Sequence, residues 1–194
     1  MKSLLDSCSH TNQTICIMSE ICFIVDSSTL SNFARAGYLN LLKTLFYAGL
    51  LTTSDVIEEI ERGSEKYPEL RTALNELNLW LKVVDELTEE EQSFIRSLRI
   101  THEEFEEGAD ASLLAVAKKR NLVLITDDKY LKKVAKREGV KVVGTVEILE
   151  EARNRGLIRS EEELKQIVRD MEHMARFRLK DSDLKRLGLS LDLL

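Results

Sequence analysis

Proline is nearly absent from this 194-residue chain: Pro68 stands alone, and glycine contributes only eight residues. So few breakers suit a helix-rich chain with short connections. Cysteine is scarce too. Cys8, Cys16 and Cys22 are odd in number and form no CxxC pair, which excludes a disulfide framework. Cys22, at the start of an apolar run, reads as a small buried hydrophobe. His10, His102 and His173 share no zinc-ligand spacing with one another or with cysteine. No apolar run approaches the ~18 residues of a membrane span, and the opening residues lack the plan of a signal peptide. A cytoplasmic protein is expected, with no membrane partner. Glycine-rich phosphate loops, a GxSxG elbow and a nucleophilic Cys–His pattern are all missing.

Hydrophobic residues make up 43% of the chain, which excludes disorder, and the length allows one full domain with room for an extension. The net charge of −6 disfavours a general nucleic-acid coat protein, because phosphate affinity comes from Lys and Arg. The charge is uneven, however. Residues 85–107 carry nine acids, whereas 118–141 carry nine Lys/Arg against three acids, so a local field can attract a polyanion.

Two β-branched apolar runs, 21–25 and 122–126, end at Asp26 and at Asp127-Asp128. Short runs of this kind read as strands buried on both faces, the pattern of a parallel sheet. Strands are also expected at 50–53, 81–87 and 140–145, with helices between them, one of them over 65–79. Strand and helix alternate to about residue 150, which selects an α/β fold with a mainly parallel sheet. Beyond that the pattern is helical only, with a capping box at Ser160 and Glu163. The expected organisation is a disordered lead over 1–19, a catalytic domain over 20–150 and a helical extension over 151–194. Met18 offers an alternative start.

In open α/β sheets, ligands bind beyond the carboxyl ends of the strands at a switch in strand order. Asp26 and the 127–128 pair are therefore candidates for one site. Unpaired carboxylates in a cluster repel each other, and a hard divalent cation is the usual counter-charge. Each acid also has a plainer role available. Asp26 can cap the next helix, as can Asp110, whose helix buries Leu113, Leu114 and Ala117. On the helix after Thr53, Val56, Ile57 and Ile60 define the buried face. Glu58 then points to solvent, while Glu59 and Glu61 flank the apolar stripe equally. Asp127 and Asp128 are adjacent, so their side chains diverge and at most one touches a metal directly.

The order strand–Asp26-Ser27-Ser28, Val56-Ile57-Glu58-Glu59-Ile60, Asp110-Ala111-Ser112-Leu113-Leu114-Ala115 and Thr126-Asp127-Asp128-Lys129-Tyr130-Leu131 resembles the PIN-domain nucleases over roughly 20–150. The extension is similar to that of a subgroup of prokaryotic PIN proteins, many of them archaeal. The resemblance implies a three-layer α/β/α Rossmann-like fold whose acids bind Mg²⁺ or Mn²⁺ and cleave RNA, as in VapC-type toxins and ribosomal-RNA maturation enzymes. It selects Glu59 over Glu61 and implies catalytic roles for Asp26, Glu59, Asp110 and Asp128. Asp127 neighbours the metal set, and either aspartate of that pair can be the direct ligand. Ser28 and Thr126 would orient carboxylates, and Lys129, Lys132, Lys133 and Lys136 would hold RNA phosphates. The implied partners are RNA and, in a toxin, a small antitoxin protein. A homodimer is expected from the apolar tail if that tail does not pack on the domain. Two other readings compete. A PIN-like module that binds nucleic acid or protein without cutting has no need of converging carboxylates. A phosphotransferase of the haloacid-dehalogenase type wants a second acid two residues after the first, where Ser28 stands.

Overall fold

The computed structural model describes residues 22–189. The expected lead over 1–19, the Met18 start, Cys8, Cys16 and His10 lie outside the described residues. Five strands form one parallel sheet: β1 (Phe23–Val25), β2 (Leu50–Thr53), β3 (Leu81–Val84), β4 (Val123–Ile125) and β5 (Val142–Val143), in the order β3-β2-β1-β4-β5. Chain progress runs outward from β1 to β2 and β3, then returns to β4 on β1's other side. The switch in strand order therefore falls between β1 and β4, which pair Phe23 with Val123 and Val25 with Ile125. Both strands are buried at every position, as their unbroken apolar runs require. Asp26 N–H donates to the Ile125 carbonyl at 3.0 Å, so the two carboxyl ends finish side by side.

Among the described residues, ten helices complete an α/β/α protein with a helical C-terminal extension: α1 (Ser27–Arg35), α2 (Leu39–Leu45), α3 (Ser54–Ser64), α4 (Arg71–Leu74), α5 (Glu89–Thr101), α6 (Asp110–Lys119), α7 (Lys129–Arg137), α8 (Thr145–Asn154), α9 (Glu161–Ala175) and α10 (Asp181–Arg186). Helix α6 is buried from Ala111 through Ala117 and packs against β1, β2 and β4. It is the central helix, which explains its lack of a polar face.

Several expectations change, among them the strand over 81–87, which ends at Val84. The helix over 65–79 breaks into a 3-10 turn at Pro68–Leu70 and the four-residue α4. Pro68 opens that turn, and Asn78 takes a left-handed φ of 61° just before β3, which no continuous helix can accommodate. The last strand shrinks from 140–145 to Val142–Val143. Cys22 is half-buried, one residue short of β1.

The extension packs on the body. Leu149, Ile158, Leu164, Ile167, Val168 and Met171 are buried within the chain, and α9 lies along α1. Burying each such side chain stabilises by about 1.5–3 kcal/mol. Polar ties fix the register. Tyr38 Oη donates to Asp170 Oδ2 at 2.7 Å, and Arg35 donates to the Met174 and Ala175 carbonyls at the end of α9. Arg186 reaches Glu147 and Glu150 on α8. The expected boundary at 150 thus falls inside α8. With its apolar face covered internally, the tail no longer argues for a second copy. Ser160 caps α9 by accepting from Glu163 N–H, but the Glu163 carboxylate turns to Arg159 N–H, so the box is displaced by one residue.

Candidate active site

At the switch point β1 delivers Asp26, and its carboxylate is held at every lone-pair direction the surroundings can reach. Ser28 and Thr126, the two hydroxyls expected to orient carboxylates, both donate to Oδ2 at 2.6 Å. Thr29 N–H donates to Oδ1 at 2.7 Å, so Asp26 also caps α1. The helix-cap role and the site role coexist in one side chain. Burial pushes the Asp26 carboxyl up from its ordinary range, and the hydrogen bonds from Ser28, Thr126 and Thr29 oppose that shift.

Glu59 leaves the α3 stripe toward the same edge. Its Oε2 accepts from Ser27 Oγ, and its Oε1 accepts from Ala109 N–H at 3.0 Å. One carboxylate thereby ties α1, α3 and the turn before α6 together. Gly108 completes this turn with a φ of +85°, and a Cβ there would sit 3.1 Å from Glu59 Oε1. Both the backbone and the close approach call for glycine. Neither Ser27 nor the 108–109 backbone was identified from sequence. Ser28 was expected only through the family resemblance, and Gly108, two residues before Asp110, is the one sequence signal that could have pointed to the second contact.

Asp110 is the first residue of α6. The N-cap position belongs to Ala109, and no side chain caps this helix. The capping explanation for Asp110 therefore falls away. Its carboxyl is pushed up to about 7, first by burial and then by the negative charges of Asp128, Asp26 and Glu59. Three carboxylates from other elements thus act on Asp110 across the switch point. Among the described residues, no ion pair neutralises any of the four.

Asp128 caps α7, accepting from Leu131 N–H at 2.7 Å, and remains exposed. Asp127 faces elsewhere. Its oxygens accept from Thr145 N–H and Thr145 Oγ1, and the Lys132 ammonium stands 3.4 Å from Oδ1. A Cβ on Gly144 would come within 2.6 Å of both Asp127 Oδ1 and Lys132 Nζ, so a larger residue at this junction between β4, α7 and α8 would displace those side-chain ends. Adjacent residues on an extended segment diverge, and that divergence commits Asp127 to the α8 junction and leaves Asp128 with the other acids. Lys132 is engaged at the same junction, unlike Lys129, Lys133 and Lys136, which are exposed on α7 opposite its buried Leu131, Val134 and Ala135.

The donor set fits a hard divalent cation in charge and ligand type: carboxylate oxygens, mutually repelling, with no basic counter-charge. The fit is incomplete in position. Among the described residues, no three acid, His or Cys side chains converge closely enough to close round one ion as they stand. Glu59 is drawn to Ser27 and Ala109, and Asp128 to Leu131 N–H, so ligation would redirect those oxygens.

A parallel sheet with helices on both faces, and a cluster of acids at its central strand switch, defines a Rossmann-like α/β/α protein with an acidic site. The chain belongs to the PIN-domain family: the family model described as DUF3368, a PIN domain, matches residues 22–188, helical extension included. The chain is similar to two solved structures. VapBC2 from Rickettsia felis, bound to a DNA fragment from its promoter, has a chain 16% identical, covering 63% of this chain and 97% of its own, with a TM-score of 0.49. PAE2754 from Pyrobaculum aerophilum is 19% identical over 61% of this chain and 97% of its own, with a TM-score of 0.42. No curated protein matches the chain. Among the described residues, no helix is long and apolar enough to cross a membrane.

Proposed function

We propose that this PIN-domain protein is a metal-dependent endoribonuclease acting on single-stranded RNA. The observation that carries the reading is the placement of Asp26, Glu59, Asp110 and Asp128 around the sheet's switch point, where burial first, and then the charges of Asp128, Asp26 and Glu59, push the Asp110 carboxyl up to about 7. Those four residues would hold Mg²⁺ or Mn²⁺. When bound, the metal lowers the pKa of a water nucleophile and stabilises charge on the phosphodiester and on the leaving 3′ oxygen.

The chain's own groups do the rest. Ser28, Thr126 and Thr29 N–H lock the Asp26 carboxylate against rotation. Glu59 fixes the α1, α3 and α6 ends relative to one another. Lys129, Lys133 and Lys136 place positive charge along one face of α7, a helix that starts at the Asp128 cap. In the reaction, water forms a bond to phosphorus as the bond to the 3′ oxygen breaks; the water gives up one proton to solvent and the leaving 3′ oxygen takes one up, so that the products are a phosphate monoester and a 3′ hydroxyl. The test is direct: incubation of the protein with a single-stranded RNA oligonucleotide should give cleavage with Mg²⁺ or Mn²⁺ and none with EDTA. RNA binding without cleavage under any divalent ion would favour the alternative, a PIN-like module that binds without cutting. That alternative draws support from the carboxylates' failure to converge at ligand distance. The toxin reading, with a small antitoxin partner, extends the proposal, as does a homodimer. Co-purification with the product of an adjoining small gene and light scattering test these two extensions.

The two adjacent aspartates should separate cleanly. Asp128→Asn should lower cleavage by at least about 100-fold with little change in stability, as expected for a lost metal ligand. Asp127→Asn should leave cleavage within a few-fold but cost about 1–2 kcal/mol, because it weakens the hold on Thr145 and Lys132. Equal losses of activity in both variants would reverse the assignment. Replacing Lys129, Lys133 and Lys136 together by Gln should weaken RNA binding and lower the log–log salt slope by about 2, at ~0.7 per single-strand phosphate contact. An unchanged slope would remove α7 from the RNA path.

A further inference from the structure

One group of side chains beside the acids has no role in the chemistry above. His102, at the end of α5, and Tyr130, in the first turn of α7, meet at 2.7 Å between Nδ1 and Oη. Which of the two donates depends on the His102 tautomer, since the phenol can both give and accept a proton. Beneath the pair lies Phe105, fully buried. Tyr130 stands edge-on to it with ring centres 5.5 Å apart, and His102 lies 5.4 Å from it. Both His102 and Tyr130 remain half-exposed. The Tyr130 ring is thus packed edge-on against Phe105 and His102 and tied to His102 at its hydroxyl, while the residue as a whole stays half-exposed. A residue needed only for packing would gain nothing from that hydrogen bond.

Its position is specific. Asp128 caps α7 two residues earlier. On the helix Tyr130, Lys133 and Arg137 stand at i, i+3 and i+7, one stripe in which cations follow an aromatic ring. The segment that starts at His102 ends at Ala109 and Asp110, so acid cluster and aromatic group share both of their supporting elements.

Resting on the nuclease reading, we propose that Tyr130, held in place by His102 and Phe105, is a base-binding platform: an unstacked nucleobase of single-stranded RNA lies on its ring while Lys129 and Lys133 hold the flanking phosphates. An unpaired base is the occupant because it combines a flat apolar face with an adjoining negative charge, the complement of a ring beside two lysines. Stacking of a base on an aromatic side chain contributes about 1–3 kcal/mol and tolerates any sequence, so the platform would set where along the strand the cut falls rather than which base is chosen.

The experiment uses the full chain in EDTA, so that binding is read without cleavage. A set of short RNAs carries 2-aminopurine at each position in turn, and fluorescence quenching on binding reports stacking. One position should be strongly quenched. Tyr130→Leu should abolish that quenching and weaken binding about 10-fold, within the range for one stacked base. Tyr130→Phe should keep both, and Tyr130→Trp should keep or deepen the quenching. An abasic nucleotide at the quenched position should weaken wild-type binding by the same factor and have no further effect on Tyr130→Leu. If the two losses multiply instead, or if quenching survives in Tyr130→Leu, the platform is overturned while the nuclease reading stands. If the leucine variant does not fold, the abasic RNA against the Phe and Trp variants decides: affinity indifferent to the missing base in both overturns the platform. A wild-type protein that binds no RNA in EDTA overturns the platform, whereas the nuclease reading falls only if it also fails to cleave with Mg²⁺ or Mn²⁺.

Discussion

Asp110→Asn is expected to lower metal-dependent RNA cleavage by at least about 10³-fold, a loss of roughly 4 kcal/mol of transition-state stabilisation, in a protein that folds as well as the parent. Asp110 is the cleanest of the four acids for this test. Asp26 caps α1 and accepts from two hydroxyls, so its replacement disturbs local structure as well as charge. Glu59 bridges three elements, and Asp128 also caps α7, a role that asparagine can keep. Asp110 caps nothing, and its upward shift arises from burial and neighbouring charge without a hydrogen bond among the causes. Asparagine has the same shape and removes only the charge. Thermal melts and circular dichroism on the same sample would establish the fold, and cleavage of a labelled oligonucleotide would give the rate. A variant cutting within about 10-fold of wild type, a difference of ~1.4 kcal/mol, would remove Asp110 from the catalytic set.

The strands that place the site were legible because burial on both faces leaves a continuous apolar signature, and the residue that ends such a run is easily seen. Phe23–Val25 and Val123–Ile125 lie within the two runs read from sequence, and Asp26 and Thr126 follow directly. Helix capping was harder to assign. Asp26 and Asp110 both precede or open helices, and sequence alone offers each the same cap. Only the backbone shows that Asp26 takes it and Asp110 does not, while Asp128, for which no cap was expected, takes one on α7. Long-range polar contacts were not legible at all. Ser27 reaches Glu59 across 32 residues and Asp127 reaches Thr145 across 18, and no local pattern marks either pairing. The broken segment at 65–79 shows the converse. Tyr67, Leu70, Ala73, Leu74 and Leu77 have helical spacing, yet the chain must turn back to start β3 beside β2, and tertiary need overrides the period.

Without divalent metal, the folded protein should lose stability as pH rises from about 4 to about 7. The Asp110 carboxyl sits at about 7 in the folded state, against ~3.9 for an unfolded aspartate. The folded chain therefore binds this proton more tightly than the unfolded chain does. The resulting stabilisation is complete below the unfolded value and is lost as pH rises through the folded one. A shift of this size corresponds to at most about 4 kcal/mol, and partial solvent access reduces it to roughly 2. Asp26, raised by burial, adds to the slope in the same direction. Melts in EDTA between pH 5 and 8 should show the decline, although other carboxylates held low by arginine, such as Glu91 beside Arg120, contribute the opposite slope at the acid end of the range. The difference between wild type and Asp110→Asn isolates the effect. The variant should be about equal to wild type near pH 4–5 and more stable by roughly 2 kcal/mol at pH 8. Saturating Mg²⁺ should reverse the order at pH 8, because a cation that binds only the folded wild-type cluster stabilises it by mass action. A variant that stays less stable than wild type at pH 8 in EDTA would mean that the carboxylates do not repel one another across the switch point, and the case for a metal site would lose its physical basis.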